Sequence, residues 1–278
     1  MLGVIIVSYR SDDLTVRFVR EELTKITVPY RVVVVANGYD AARSQQLAER
    51  IPEAVVLPAE NRGFAAGNNL GVRYLVEHYD PEYILLTNND IQFRSDHLVE
   101  SLCKTLRAHP ESAAVGPEVV GRDGRRQGPE PYLGLWTRFF WMYVGTPFLS
   151  PAKKRRLFAL DYPEQAEVGP QYKLTGCFLV IDPKVFLQVG GFDEGTFLYA
   201  EENILSDRLA SVGKCFYFDP SVIVLHAHGQ TIERSYDARR RALLQYDSMG
   251  YYYRHYRGYS SLSVRLVRLF QQLVLRMR

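Results

Sequence analysis

The stretch YILLTNNDIQF, residues 83–93, decides how the chain is read. An apolar run from Tyr83 to Leu86 passes through Thr87 into Asn88, Asn89 and Asp90, and then apolar character resumes. A buried strand that ends in side-chain oxygens has two readings. One is a polar turn in which Asn and Asp bond their own backbone. The other is a short carboxylate motif that holds a divalent cation, because hard cations take oxygen ligands.

Outward from this stretch, the first half alternates strands and helices. Val4 to Val7 and Val32 to Val35 are continuous apolar runs rich in Val and Ile, the pattern of parallel strands buried on both faces. Val19, Leu23 and Ile26 recur at helical spacing after Ser11 and Asp12, which are good N-caps. Gly38 and Asp40 open a second helix that Pro52 ends. Further strands are expected at Ala54 to Leu57 and Tyr83 to Thr87, with a helix through Gly71 and Leu75 between them. Ser95 is expected to cap another helix with Val99, Leu102 and Leu106 on one face. This order predicts an α/β fold with a doubly wound, mostly parallel sheet. Ligands of such sheets bind outside the carboxyl ends of the strands, where Ser8, Asn37 and Asn88 lie.

The stretch NRGFAAGNNLG, residues 61–71, has neither the GxGxxG spacing of dinucleotide binders nor that of a phosphate loop. Gly63, Gly67 and Gly71 repeat every four residues, which gives a helix a smooth face for close packing. That does not account for Asn61, Arg62, Asn68 and Asn69 around a helix start, a setting suited to an anionic ligand.

Composition sets the outer limits. The 278 residues are 47% hydrophobic and 23% charged, enough for a full core and unlike a disordered chain. The three cysteines, Cys103, Cys177 and Cys215, form neither a disulfide framework nor a zinc pattern, which suits a reducing cytosol. MLGVIIVSYR lacks a basic region before its apolar run, so no signal peptide is expected, and no membrane span is visible. The net charge of +3 conceals an asymmetry. Arg234 to Arg278 holds ten Arg against two Asp, a surplus of eight positive charges on a mildly acidic body.

Taken together and in order, VIIVSYRS, VVVVANGYD, NRGFAAGNNLG and LLTNNDI resemble the family-two glycosyltransferases of GT-A fold. TGCFLVIDPKVFLQVGGFDEGTFLYAEENILSDRLASVG and VIVLHAHGQT continue the match over residues 2–231, closest to the rhamnosyltransferase-like subgroup. The resemblance implies an inverting transfer of a sugar, rhamnose being the candidate, from a dTDP- or UDP-sugar to a saccharide or lipid-linked saccharide acceptor in bacterial surface polysaccharide synthesis. It implies a transferase domain over residues 1–235, with a nucleotide-sugar-binding half (1–120) and an acceptor-side half (121–235). A basic amphipathic helical tail follows over 236–278.

By the same resemblance, LLTNND is the counterpart of the metal-binding DxD motif. Asp90 would hold Mn²⁺ or Mg²⁺, Asn88 would touch ribose or metal, and Asn89 belongs to the same donor-binding turn. Ser8, Tyr9 and Arg10 would line the base and ribose pocket. Asn37 matches the Asn of the family's DNxSxD turn, but Ala36 stands where that turn has Asp, which leaves the base open. Asn61, Arg62, Gly63 and Asn68 would complete the donor site. In YAEENIL the family has an acidic pair, usually Glu-Asp, whose second member is the base. Glu202 holds that position, with Glu201 before it. Without the resemblance, the pair reads as acids favoured at a helix N-terminus. His226 would be a further metal or diphosphate ligand, with His228 in reserve; imidazole suits Mn²⁺ better than Mg²⁺.

The segment from Gly121 to Lys173 is least determined. Trp136, Phe139, Phe140, Trp141 and Tyr143 can stack on a sugar, lie at a membrane surface or cover the sheet, and KKRR follows at 153–156. In the tail, Leu262, Leu266, Leu269, Phe270, Leu273 and Met277 share one helical stripe, with Arg265, Arg268 and Arg276 expected on the other side. Such a helix reads as an anchor on the anionic inner face of the cell membrane, which makes the protein cytoplasmic and peripheral. The alternatives are docking on its own domain or on a second subunit in a homodimer. No nucleic-acid-binding motif accompanies the basic tail. Two rival functions stay open: a nucleotidyltransferase that builds nucleotide sugars, and a non-catalytic binding protein on the same fold.

Overall fold

The structure is a computed structural model that describes residues 1–140, 150, 167–226 and 236–277. Trp141, Tyr143, the basic run at 153–156 and His228 lie outside the described residues, as does the side chain of Met277.

The Val- and Ile-rich runs form the parallel strands β1 (Leu2–Ser8), β2 (Tyr30–Asn37), β3 (Ala54–Ala59) and β4 (Tyr83–Thr87). Both faces of β1, β2 and β4 are covered, which is why their runs are continuous rather than alternating, whereas β3 at the sheet edge is only partly buried. Val4, Ile6, Val32 and Val34 face a layer with α1 (Asp12–Arg17), α2 (Ala41–Arg50) and α4 (Leu98–Ala108). Ile5, Val33 and Val35 face the opposite layer with α3 (Phe64–Tyr79). Gly67 and Gly71 are the smooth face of α3 that the spacing predicts. A Cβ on Gly71 would come within 2.8 Å of Ile5, and one on Gly67 within 3.0 Å of Val7.

Among the described residues the sheet has nine strands in the order β3-β2-β1-β4-β8-β6-β9-β5, with β7 on β9. The second half adds β5 (Ile91–Phe93), β6 (Ser112–Gly121), β7 (Gly169–Gln171), β8 (Phe178–Ile181) and β9 (Cys215–His226). β8 runs antiparallel between β4 and β6, whereas β9 is parallel to β6. The chain reverses its direction of winding between β1 and β4, so the crevice at their carboxyl ends is the expected ligand position.

Helix starts differ from expectation in two places. α4 begins after His97, which adopts a left-handed φ of 61°, and Ser95 makes no cap. Ser11 is the N-cap of α1, but its hydroxyl gives the helix no side-chain bond and is used elsewhere. The regular part of α1 ends at Arg17, and Val19 and Leu23 are buried from a π turn and a 3-10 turn that follow. Asp40 caps α2 as expected, accepting from Arg43 N–H.

The remaining helices are α5 (Leu135–Phe140), α6 (Pro183–Gln188), α7 (Glu201–Ser211), α8 (Ala238–Tyr256) and α9 (Ser261–Met277). Leu135, Ala200, Ile204, Tyr252, Tyr253 and Val267 make one buried cluster. The C-terminal helices are therefore packed against the start of α7.

Candidate functional site

Asn88, Asn89 and Asp90 form a tight turn between β4 and β5. Asn88 N–H donates to Cys177 O at 2.9 Å, which ties the turn to the start of β8. β5 then pairs with the end of β9, with Ile91 opposite His226. That pairing brings His226 Nε2 to 3.2 Å from Asp90 Oδ1 and 3.4 Å from Asn88 Nδ2. On the far side of the ring, His226 Nδ1 lies 2.7 Å from Gln127 Oε1. An amide oxygen only accepts, so Nδ1 donates there and Nε2 is turned toward Asp90. Burial pushes the imidazole down, but Cys177 and Asp90 beside it outweigh burial and raise it to about 10.

Among the described residues no group of three or more His, Cys, Asp and Glu side chains converges as a ready metal cage. Once a cation displaces the Nε2 proton, Asp90 and His226 offer one oxygen and one nitrogen at 3.2 Å. That is close to the ~3 Å between adjacent ligands of a six-coordinate cation with bonds of ~2.1 Å. The pair would fit two adjacent positions around a divalent cation.

Asn89 points away from this pair. Its Nδ2 donates to Ser11 Oγ and Thr15 Oγ1, both at 2.8 Å, and so fastens the turn to α1. Ser8 is buried in the same network, its hydroxyl 2.8 Å from Thr15 Oγ1 and 3.0 Å from Tyr39 OH. Tyr39 OH donates to Asp12, which Arg43 grips with two bonds of 3.0 Å.

A second group of side chains gathers at the ends of β2 and β3. Asn37 Nδ2 donates to Asn61 Oδ1 at 3.1 Å and to Gly63 O at 3.3 Å. Both partners are acceptors, which fixes the orientation of the amide and leaves the buried Asn37 Oδ1 without a partner. The Tyr9 ring lies beside Gly38, with the exposed Arg10 guanidinium 5.2 Å from its centre. A crevice lined by Gly38, Tyr39, Asp40, Pro58, Ala59, Glu60 and Asn61 opens here. Gly63 turns the chain into α3 at φ 96°, and a Cβ on it would stand 2.1 Å from Phe197 O. Arg62 pairs with Glu194 at 3.2 Å. Asn68 is buried and donates to Phe64 O within α3. Asn69 bonds Phe192 and Glu194, locking α3 to the loop ahead of α7.

That loop delivers the acidic pair. Tyr199 (φ 75°) and Ala200 (φ 68°) are both left-handed, a strained entry into α7 of the kind found where side chains must be aimed. Glu202 is half-buried, and its Oε1 accepts Gly176 N–H at 2.9 Å. A Cβ on Gly176 would lie 2.5 Å from that oxygen, so a side chain there would displace the carboxylate. Glu202 is thus linked through Gly176 and Cys177 to the Asn88 turn. Glu201 is buried with Oε1 unpartnered. Burial, then the charge of Glu202, pushes its carboxyl up to about 8. Lys173, 2.8 Å from Glu130, adds a positive charge near both.

The structure therefore brings Asn88, Asp90, His226 and, through Gly176, Glu202 to one end of the sheet, with Asn37, Asn61, Gly63 and Tyr9 beside it. Gln127 is a member that the sequence did not announce. It sits in the RDGRRQ loop, far from His226 in the chain, and only the β6–β9 pairing joins them.

Residues 3–163 match the model of a family described as Glycosyl transferase family 2. An N-acetylglucosaminyl-diphospho-decaprenol L-rhamnosyltransferase of Mycobacterium tuberculosis is 27% identical over 247 residues, 81% of this chain and 76% of that protein. The rhamnosyltransferase WbbL of Escherichia coli is 24% identical over 81% of this chain and 83% of its own length. Among solved structures, a mannosyltransferase from Pyrobaculum calidifontis in complex with GDP-Man and Mn²⁺ superimposes with a TM-score of 0.57. It is 16% identical, over 96% of this chain and 67% of that one, a likeness of fold.

Proposed function

The chain belongs to glycosyl transferase family 2, and from that premise we propose that it moves a deoxyhexose, rhamnose foremost, from a nucleoside diphosphate donor to a polyprenyl-diphosphate-linked saccharide. The observation that carries the proposal is the meeting of Asp90, Asn88 and His226 at the β1–β4 switch point, with Glu202 anchored to the same turn. The named activities of the rhamnosyltransferase relatives support the choice of sugar and of a lipid-linked acceptor.

In this reading the base and ribose lie over Tyr9, Gly38 and Asn61, and the diphosphate reaches toward Asp90 and His226. Asp90 and His226 would hold a divalent cation, which would supply positive charge to the departing diphosphate. Glu202 takes the proton from the attacking acceptor hydroxyl, a contribution of roughly 10²–10⁴-fold. Gly176 N–H holds one carboxylate oxygen of Glu202 in place, and Glu201, protonated and buried beneath, adds no competing charge. A single displacement inverts the anomeric carbon.

A thermal-shift screen of dTDP- and UDP-sugars with and without Mn²⁺ tests the donor class. A ligand at a hundred times its Kd stabilises by about 2.7 kcal/mol. A Mn²⁺-dependent shift with dTDP-rhamnose supports the proposal. Absence of a shift with every nucleotide sugar overturns it.

A further inference from the structure

Val264 and Val267 turn one side of α9 into the cluster formed with Leu135, Ala200 and Tyr253. On the opposite side Leu262, Leu266, Leu269 and Leu273 are 67, 53, 56 and 48% exposed. At about 100° per residue these four leucines fall within an arc of about 60°. Scattered exposed leucines need no explanation, but a continuous row marks a surface that something covers. The arginines are not opposite the row, as the sequence reading had placed them. Arg265 and Arg276 are exposed along its border, and Arg268 turns back to Asp247 at 2.5 Å.

A second element joins this face. The Phe139 ring on α5 meets Phe270 on α9 edge-on at 5.1 Å. Trp136, packed against Phe139 at 6.2 Å, is 49% exposed. Within the aromatic run, Trp136 and Phe139 thus extend the apolar row of α9, and Trp favours the zone between lipid and water.

We propose that the exposed face of α9, widened by Trp136 of α5, docks the protein on an anionic bilayer. The leucines enter the acyl boundary while Arg265 and Arg276 meet lipid phosphates. Charge selects this occupant over a second copy. α9 has no Asp or Glu, so a two-fold pairing of the face would set arginines against arginines, whereas an anionic leaflet complements them. No helix among the described residues is long and apolar enough to cross a membrane, so the docking is interfacial. The same cluster contains Ala200, immediately before Glu201, so the docking face is fixed relative to the acidic pair. The inference stands independently of the donor and cation assignments.

Flotation of the full chain with vesicles tests it. Phosphatidylcholine alone is compared with phosphatidylcholine containing phosphatidylglycerol, at low and high salt. Binding is expected to the anionic vesicles and to weaken with salt. Arg265→Ala and Arg276→Ala should each lower partitioning by about fivefold. The pair Leu266→Glu and Leu269→Glu should abolish flotation with an unchanged thermal melt, since both side chains are exposed. Three results overturn the proposal: no flotation of wild-type protein, flotation that survives the leucine pair, or a dimer in light scattering that the leucine pair dissociates while wild-type protein ignores vesicles.

Discussion

His226 Nε2 stands 3.2 Å from Asp90 Oδ1, the first at the end of β9 and the second in the turn after β4. Neither strand touches the other. The short β5, carried on from the Asn88 turn, pairs with β9 and makes the contact. With the Gln127 oxygen fixing the far side of the ring, a carboxylate oxygen and an imidazole nitrogen share one point in space.

The first prediction follows from that contact. Asp90→Asn keeps shape but removes the negative charge that would hold a cation against the departing diphosphate. Transfer should fall by at least about 100-fold. Mn²⁺-dependent stabilisation by a nucleoside diphosphate, read as a melting shift, should disappear. A variant that keeps both would remove Asp90 from the site.

The acidic pair gives a second. Glu202→Gln can still accept Gly176 N–H, so folding and donor binding should persist while kcat drops by at least about 100-fold. Gly176→Ala should give a similar loss by displacing the carboxylate. A larger loss in Glu201→Gln than in Glu202→Gln would reverse the roles of the two residues.

Glu201 also sets a pH dependence. Its carboxyl, at 4.5 ordinarily, is raised to about 8 by burial and by Glu202. The folded state therefore keeps a proton that the unfolded chain releases, and stability from this residue falls as pH rises through that window. Melting temperatures of Glu201→Gln should decline less than those of wild type between about pH 5 and about pH 8. Parallel profiles would contradict the assignment.

Gly63→Ala is the backbone test. The residue has φ 96° and faces Phe197 O, so a methyl group meets both strain and collision. A cost of about 3 kcal/mol is expected, lowering Tm by roughly 6–12 °C. A melt within a degree or so of wild type would show that the loop before α3 relaxes freely.

The parallel strands were legible because burial on both faces leaves continuous Val and Ile runs, and Gly67 and Gly71 because close helix packing needs them. Asp40 announced its helix in the ordinary way. Ser95 did not, because the turn into α4 uses a left-handed His97 that no cap rule selects. The second half of the sheet was obscure for a different reason. β8 runs against its neighbours, and the partners of β9 are distant in the chain. The same distance hid Gln127 behind His226. Motif order singles out Asp90 and Glu202 as candidates, yet the glycine beside Glu202 becomes visible only when Gly176 and α7 are seen together. Arg265 and Arg276 were placed a side too far around α9, because the packed and exposed faces were not yet known.

The most direct measurement of the central claim follows both products in one reaction: wild-type chain, dTDP-rhamnose, Mn²⁺ and a polyprenyl-diphosphate-linked N-acetylglucosamine acceptor, read by mass spectrometry. The account predicts that nucleoside diphosphate appears one for one with rhamnosylated acceptor, and that Glu202→Gln suppresses both together. Pyrophosphate release from a nucleoside triphosphate and a sugar phosphate, or bound donor that is never consumed in the presence of acceptor, would contradict it.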